Sequence, residues 1–178
     1  MIWAGYHTLN ITTSRPSQSI AFYNVKDTPA VHCLTGGKHS WLVCADSLPR
    51  TEWLQRSLAP HWNHQRLLPP QVVTGRYQAD GLSLHDNIVT YAGSRICLLN
   101  DNRWRDRRSP RPLPVDYLYL SRGYQGGIHE LTSLFRIGTV IVDGSLSSYY
   151  RQRIADDCLR LDIPCRYLEK EGIIRIPL

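Results

Sequence analysis

The chain changes its patterning about two-thirds of the way along, and that change restricts the folds open to it. Up to Leu99 the apolar residues fall in short runs separated by turn-forming pairs. Ser19–Val25 reads as a strand ending at Lys26-Asp27. Ala30–Thr35 and Ser40–Ala45 read as two more, joined through Gly36-Gly37, a strong hairpin signal because glycine tolerates the positive φ of tight turns. Pro69-Pro70 restarts extended structure through Val72-Val73. Asn87–Tyr91 and Arg95–Leu99 form a further hairpin about Ala92-Gly93. One short helix interrupts this part: Ser47 is its N-cap, Pro49 lies in its first turn, Trp53, Leu54 and Leu58 share a face, and Pro60 ends it.

From Val115 onward, strands alternate with helices. Val115–Leu120 is a strand, and Ile128, Leu131, Leu134 and Phe135 keep helical spacing. Thr139–Asp143 is a short buried strand. Ser147 caps a helix whose Tyr150, Ile154, Cys158 and Leu161 recur at near-helical intervals. After Pro164, Cys165–Leu168 and Gly172–Ile176 are expected to form a terminal strand pair. Strands separated by helices imply parallel pairing with right-handed crossovers. The expected fold class is therefore α/β in an α+β layered form, with antiparallel hairpins first, a closing β-α-β-α-β unit and helices outside the sheets. At 178 residues the chain fits one domain. Residues 19–178 are assigned to it, and the polar, aperiodic residues 1–18 to a leader or linker from an upstream segment. The chain is thus expected to be a domain from the end of a larger protein.

Composition excludes some classes and leaves others open. The 42% hydrophobic and 20% charged residues are those of a globular protein rather than a disordered one. No run approaches the roughly 20 apolar residues that cross a bilayer. The formal charge is +6, and of the 21 basic residues only Lys26, Lys38 and Lys170 are lysines, so 18 are arginines. Arginine's planar five-donor fork suits phosphate, which favours a polyanionic partner. The five cysteines (Cys33, Cys44, Cys97, Cys158, Cys165) form no C-x-x-C and have the wrong gaps for a zinc finger. Cys33 and Cys44 flank the first hairpin and are candidates for a disulfide in an oxidising compartment.

Three segments in this order carry a family resemblance. Ser19–Ser47, SIAFYNVKDTPAVHCLTGGKHSWLVCADS, gives strand, polar turn, strand, Gly-Gly-Lys and a strand ending in Asp46. Tyr91–Asp101, YAGSRICLLND, gives a strand ending in Asp101. Val115–Ile176 supplies VDYLYLSRGYQGG and then TVIVDGSLSSYYRQRIADDCLRLDIPCRYLEKEGIIRI, with the closing order of strand, helix, strand, turn and strand. Together they resemble the C-terminal metallo-β-lactamase-like domain of ComEC-type competence proteins, inner-membrane proteins that pass transforming DNA into bacteria. The resemblance rests on order and spacing, since no short motif within it is diagnostic. It implies a reduced metallo-β-lactamase-like αββα sandwich. It also implies a place at the bacterial inner membrane, outside the bilayer, with the transmembrane channel portion of the same polypeptide and the competence machinery as partners.

The departures bear on chemistry. Metal-dependent members of that family use an HxHxDH cluster after the first hairpin, because two adjacent cations need several imidazoles and carboxylates converging from one loop. This chain contains no HxH. His61 and His64 have no carboxylate partner nearby in sequence and read as surface residues. Ser121-Arg122-Gly123 stands where paired histidines are expected, and Gly144-Ser145-Leu146-Ser147 replaces the last histidine. Asp46, Asp101 and Arg122 mark vestigial site positions. The expectation is no catalytic residue, no metal and no cofactor. The alternatives are a metal-dependent hydrolase or nuclease of the same superfamily, and a free-standing binding module.

Other catalytic motifs are weaker still. No G-x-S-x-G elbow occurs, and Asp143-Gly144-Ser145 lacks the second glycine. Gly123–Gly127 before a helix could offer backbone N–H groups to an anion, although a plain strand-to-helix turn explains it as well. The more pointed feature is Arg103-Trp104-Arg105-Asp106-Arg107-Arg108 with Arg111 beyond, five arginines and an indole in one short stretch. Phosphate-binding guanidinium groups beside a stacking ring suit single-stranded DNA.

Overall fold

The computed structural model describes residues 18–24, 29–37, 39–45, 56, 58–60, 62–63, 68–79 and 81–178. Its strands are β1 (Ser19–Tyr23), β2 (Ala30–Leu34), β3 (Ser40–Cys44), β4 (Gln71–Val73), β5 (Tyr77–Ala79), β6 (Leu82–His85), β7 (Ile88–Tyr91), β8 (Ser94–Leu99), β9 (Leu113–Leu120), β10 (Phe135–Val142), β11 (Cys165–Tyr167) and β12 (Ile173–Pro177). The helices that matter here are α1 (Ile128–Leu131), α2 (Ser148–Arg160) and α3 (Leu168–Glu171), and residues 58–60 and 62–63 are also helical. The strands form a five-stranded sheet, β12-β1-β2-β3-β4, and a seven-stranded sheet, β11-β10-β9-β8-β7-β6-β5.

The period-2 alternation of strand side chains divides the apolar residues into three layers. Ile20, Phe22, Val31, Cys33 and Val43 of the first sheet meet Leu82, Leu84, Val89, Tyr91, Ile96, Leu98, Tyr119 and Ile141 of the second. Alternate residues of the first sheet (Ala21, Tyr23, Ala30, Leu34, Leu42, Cys44) lie beneath the helical residues Leu58 and Trp62. Alternate residues of the second sheet (Cys97, Leu99, Leu118, Leu120, Val140, Val142) lie beneath Ile128, Leu131, Ile154 and Cys158 of α1 and α2. The order is helix, sheet, sheet, helix. Two tyrosines link the sheets through hydrogen bonds: the Tyr91 hydroxyl donates to the Leu34 carbonyl (2.8 Å), and that of Tyr119 to the Tyr23 carbonyl (3.0 Å). Phe22 adds an edge-on contact to Tyr119, with ring centroids 5.6 Å apart.

The layered α+β expectation agrees with this architecture. Of the parallel pairings, β9–β10 and β10–β11 follow the expected strand–helix alternation. The hairpin at Gly36-Gly37 is present, and Ala92 (φ 46°) and Gly93 (φ 81°) both adopt the left-handed conformation of a type I′ turn. Several expectations need correction. Leu134 and Phe135 do not continue α1, which stops at Leu131; Phe135 opens β10, a longer strand than Thr139–Asp143. The terminal strand pair does not form. β11 joins β10 in one sheet while β12 joins β1 in the other, because α3 carries the chain across between them. Cys33 and Cys44 cannot bond to each other. Cys33 stands opposite Trp41 and faces the core between the sheets, whereas Cys44 stands opposite Ala30 and faces the outer layer. Ser47, the helix over Trp53 and Leu54, and most of residues 1–18 lie outside the described residues. Among those described, no helix is long and apolar enough to cross a membrane.

Candidate functional site

The parallel strands β8, β9 and β10 end side by side, and three of the loops singled out in the sequence begin there. Their first residues are tied to one another. The Ser121 N–H donates to the Leu99 carbonyl (2.9 Å) and that of Asp143 to the Leu120 carbonyl (2.9 Å). The Arg122 N–H donates to Ser145 Oγ (3.0 Å), and the Gln125 N–H to Asn102 Oδ1 (2.9 Å). At Gly123, with φ 107°, the backbone lies so close to β8 that a Cβ would sit 1.9 Å from the Asn100 carbonyl oxygen. Only glycine meets both conditions.

Two aspartates occupy these strand ends. Asp101 is held within its own loop: the Arg103 Nε lies 3.0 Å from both carboxylate oxygens, Nη2 donates at 2.8 Å, and the Arg103 N–H donates to Oδ1 at 3.0 Å. The Arg103 side-chain hydrogen bonds hold the Asp101 carboxyl below the usual carboxylate range, against a smaller opposing effect of burial. Because the folded pKa is depressed, the pair's stabilisation is complete above the unfolded value of 3.8 and is lost as pH falls through the folded one. A carboxyl-carbon NMR titration should place the Asp101 midpoint below 3.8, and Arg103→Ala should bring it back towards that value. Asp143, which the sequence marked only as the end of a strand and the start of a serine turn, is buried. It accepts the Tyr119 hydroxyl at 2.6 Å and the Ser145 N–H at 2.8 Å. Burial first, then the charge of Asp143, pushes the Tyr119 hydroxyl well above its ordinary range, so it remains a donor. The signal for this pair was available: an acidic residue immediately after the apolar run Val140–Val142, and a tyrosine at an inward position of β9.

Arg122 is exposed. Asp46, His61 and His64 lie outside the described residues. Among the described residues no three His, Cys, Asp or Glu side chains are grouped as a metal site would require. The anion reading of Gly123–Gly127 is contradicted. The Gly127 N–H already donates to Glu130 Oε1 (3.3 Å) and the His129 N–H to Asp157 Oδ2 (3.4 Å), so carboxylates fill the place of a ligand.

The arginine loop joins β8 to β9 and is fastened at several points. Arg103 grips Asp101. The Trp104 ring turns inward, edge-on to Phe135 at 5.9 Å and 88°. The Arg107 guanidinium lies over that indole at 5.9 Å, and its Nε donates to the Arg103 carbonyl (3.1 Å). Further along, the Ser109 N–H donates to the Ser133 carbonyl (3.1 Å), and the Ser133 hydroxyl to the Arg107 carbonyl (3.2 Å). Glu130 accepts Arg153 (2.7 Å) and lies 3.8 Å from Arg105 Nε, which connects the loop to α1 and α2. The sequence-singled residues thus divide: Arg103 and Trp104 are half-buried and fasten the loop, whereas Arg105, Arg107, Arg108 and Arg111 are exposed, Arg105 and Arg107 while also touching Glu130 and the Trp104 ring. Beside the loop, an apolar cleft of about 370 Å³ is lined by Pro112, Phe135, Ile137, Leu161 and Ile163, with Thr132 and Arg136 also contributing.

Comparison with known proteins agrees with the resemblance drawn from the sequence. The family model of the ComEC C-terminal domain matches residues 20–178, nearly the whole of the described chain. Neither the curated proteins nor the solved structures include a significant match. Matched over nearly all of its described length, the chain belongs to the ComEC C-terminal domain family, a family of membrane-associated competence proteins that serve DNA uptake.

Proposed function

We propose that this chain is a non-catalytic domain that contacts single-stranded DNA during uptake, held outside the bilayer beside the transmembrane channel portion of the same polypeptide at the bacterial inner membrane. The observation that carries this reading is the fastened loop presenting Arg105, Arg107, Arg108 and Arg111 to solvent. Ordering long side chains on binding costs roughly 0.5–1.5 kcal/mol each. A loop whose backbone is already pinned to Ser133 and whose Trp104 is already packed avoids part of that cost. Guanidinium groups then supply the phosphate contacts that dominate nucleic-acid affinity.

The non-catalytic half of the proposal is supported by what stands at the strand ends. Ser121-Arg122-Gly123 and Gly144–Ser147 carry no imidazole, and both oxygens of Asp101 are engaged by Arg103. Metallo-β-lactamase-like ancestry fits the two-sheet, helix-flanked architecture and accounts for acidic residues at positions where ligands would lie.

Both halves can be tested in one experiment. The purified chain is titrated into a fluorescently labelled single-stranded oligonucleotide at low salt, with and without added magnesium, manganese or zinc. The oligonucleotide is recovered afterwards on a denaturing gel. Saturable binding with intact DNA is the expected result. No binding at low salt would remove the DNA-contact role, and metal-dependent cleavage would remove the non-catalytic one.

A further inference from the structure

We infer that the apolar cleft beside the arginine loop is a base pocket, which takes one unpaired base of a single DNA strand while the neighbouring arginines hold its phosphates. The inference rests on the DNA-contact reading above and adds to it the place where a base goes. The cleft lies where three neighbouring strands of the seven-stranded sheet begin: Pro112 precedes β9, Phe135 opens β10 and Ile163 comes just before β11. Its volume is about 370 Å³. Small-ligand sites run from roughly 300 to 1,000 Å³, so one base fits without the cleft having to open.

The course of the loop brings the phosphate contacts and the cleft together. β8 and β9 are parallel, so the chain between them runs back from the end of one to the start of the other. It does so on the outer side of the sheet, where Trp104 packs into the apolar layer shared with α1 and α2. The exposed Arg105, Arg107, Arg108 and Arg111 follow that path, and Arg111 directly precedes Pro112 in the wall of the cleft. The end of the path is fixed: the Ser109 hydroxyl donates to the Arg111 carbonyl (2.8 Å), and the Leu113 N–H to the Leu134 carbonyl (2.9 Å). A strand held along the loop is thereby led to the cleft.

The chemistry of the cleft matches that occupant. Pro112, Ile137, Leu161 and Ile163 offer apolar surface to the faces of a ring, and Phe135 extends it. Arg111 and Arg136 are exposed beside this surface, and no carboxylate lines it. Asp162, between Leu161 and Ile163 in sequence, is exposed and leaves the two guanidinium groups in excess. Thr132 contributes a hydroxyl whose proton goes to the His129 carbonyl (2.9 Å), so its oxygen is an acceptor for the N–H edge of a base. An occupant must therefore join an apolar ring to an anion, as a nucleotide does. Only a single strand has bases to offer, because those of a duplex are already stacked and paired.

The test compares a short fluorescent oligothymidylate with a fully abasic strand of the same length and charge, each titrated into the intact chain at low salt. A base held on apolar or aromatic side chains changes affinity by about tenfold, so the abasic strand should bind about tenfold more weakly. In the double variant Leu161→Ala, Ile163→Ala, checked by its melting curve, that difference should disappear. Photocrosslinking of a 5-iodouracil strand to the unsubstituted chain provides a measurement that needs no variant, and its adducts should map to residues 112, 132–137 or 161–163. Equal binding of the two strands by the unsubstituted chain overturns the base pocket and leaves the DNA-contact reading standing, whereas no binding of either strand removes both. A difference that survives in the folded double variant, or adducts that map only elsewhere, places the base contacts outside the cleft and overturns the inference. So does the finding that the double variant loses binding to anionic phospholipid vesicles but not to the oligothymidylate, which would make the occupant an acyl chain.

Discussion

Gly123→Ala is expected to destabilise the domain by about 4 kcal/mol, and Gly93→Ala by only about 1 kcal/mol. Both glycines have positive φ, so both substitutions carry conformational strain. They differ in what the new methyl group meets. At Gly93, in the turn between β7 and β8, nothing lies within 4 Å. At Gly123 the methyl would lie 1.9 Å from the Asn100 carbonyl oxygen, a main-chain atom at the end of β8 that cannot rotate away as a side chain would. One strand end must therefore shift, and Asn100 immediately precedes the Asp101–Arg103 clamp. Urea denaturation of the two variants beside the unsubstituted chain measures the contrast. Near-equal losses would mean that the close approach of the two strand ends contributes little.

Tyr119→Phe should cost about 3 kcal/mol, seen as a fall in melting temperature of roughly 6–12 °C. The substitution keeps the ring that packs against Phe22 and removes only the hydroxyl. That oxygen lies 2.6 Å from the buried Asp143 carboxyl and 3.0 Å from the Tyr23 carbonyl, so the single hydroxyl proton that these two interior acceptors share, and that goes mainly to the nearer carboxyl, is lost. A neutral outcome would require both to find other partners. Pairing the change with Asp143→Asn distinguishes a specific bond from general damage. The two losses should be less than additive if the hydroxyl and carboxyl act on each other, and additive if they do not.

How much of this was legible depended on whether local sequence or distant packing decided each feature. Gly36-Gly37 and Ala92-Gly93 announced their hairpins because a tight turn needs residues that tolerate positive φ. Asp86-Asn87 makes the same kind of turn, with φ 49° and 60°, between β6 and β7, but without a glycine to mark it. Strands β5 and β6 were missed along with that turn, although Leu82 and Leu84 alternate inward as a half-buried strand should. The destination of β12 was not legible at all. Nothing in Ile173–Pro177 says which sheet it joins, and the choice is made by the short helix α3 and by the free edge of β1.

At the site, composition and spacing picked out the right segments but not the division of labour within them. Arg103 and Trp104 looked like the contact residues Arg105, Arg107 and Arg108, since charge and aromaticity do not say which way a side chain points. Asp101 was singled out as a vestigial strand-end position, and its pairing with Arg103 two residues on was not foreseen. The pairing of Asp143 escaped because its partner, Tyr119, lies on a neighbouring strand 24 positions earlier.

The central claim is that the projecting arginines of the loop make the contact with DNA. It is tested most directly by the salt dependence of single-stranded DNA binding, compared between the unsubstituted chain and the triple variant Arg105→Ala, Arg107→Ala, Arg108→Ala, after circular dichroism has confirmed that the variant is folded. Each phosphate contact on a single strand contributes about 0.7 to the slope of log K against log salt. Loss of three contacts should make the slope shallower by about 2 between roughly 50 and 200 mM salt, with affinity at the lower salt reduced at least about tenfold. A folded triple variant whose affinity and slope match those of the unsubstituted chain would contradict the account.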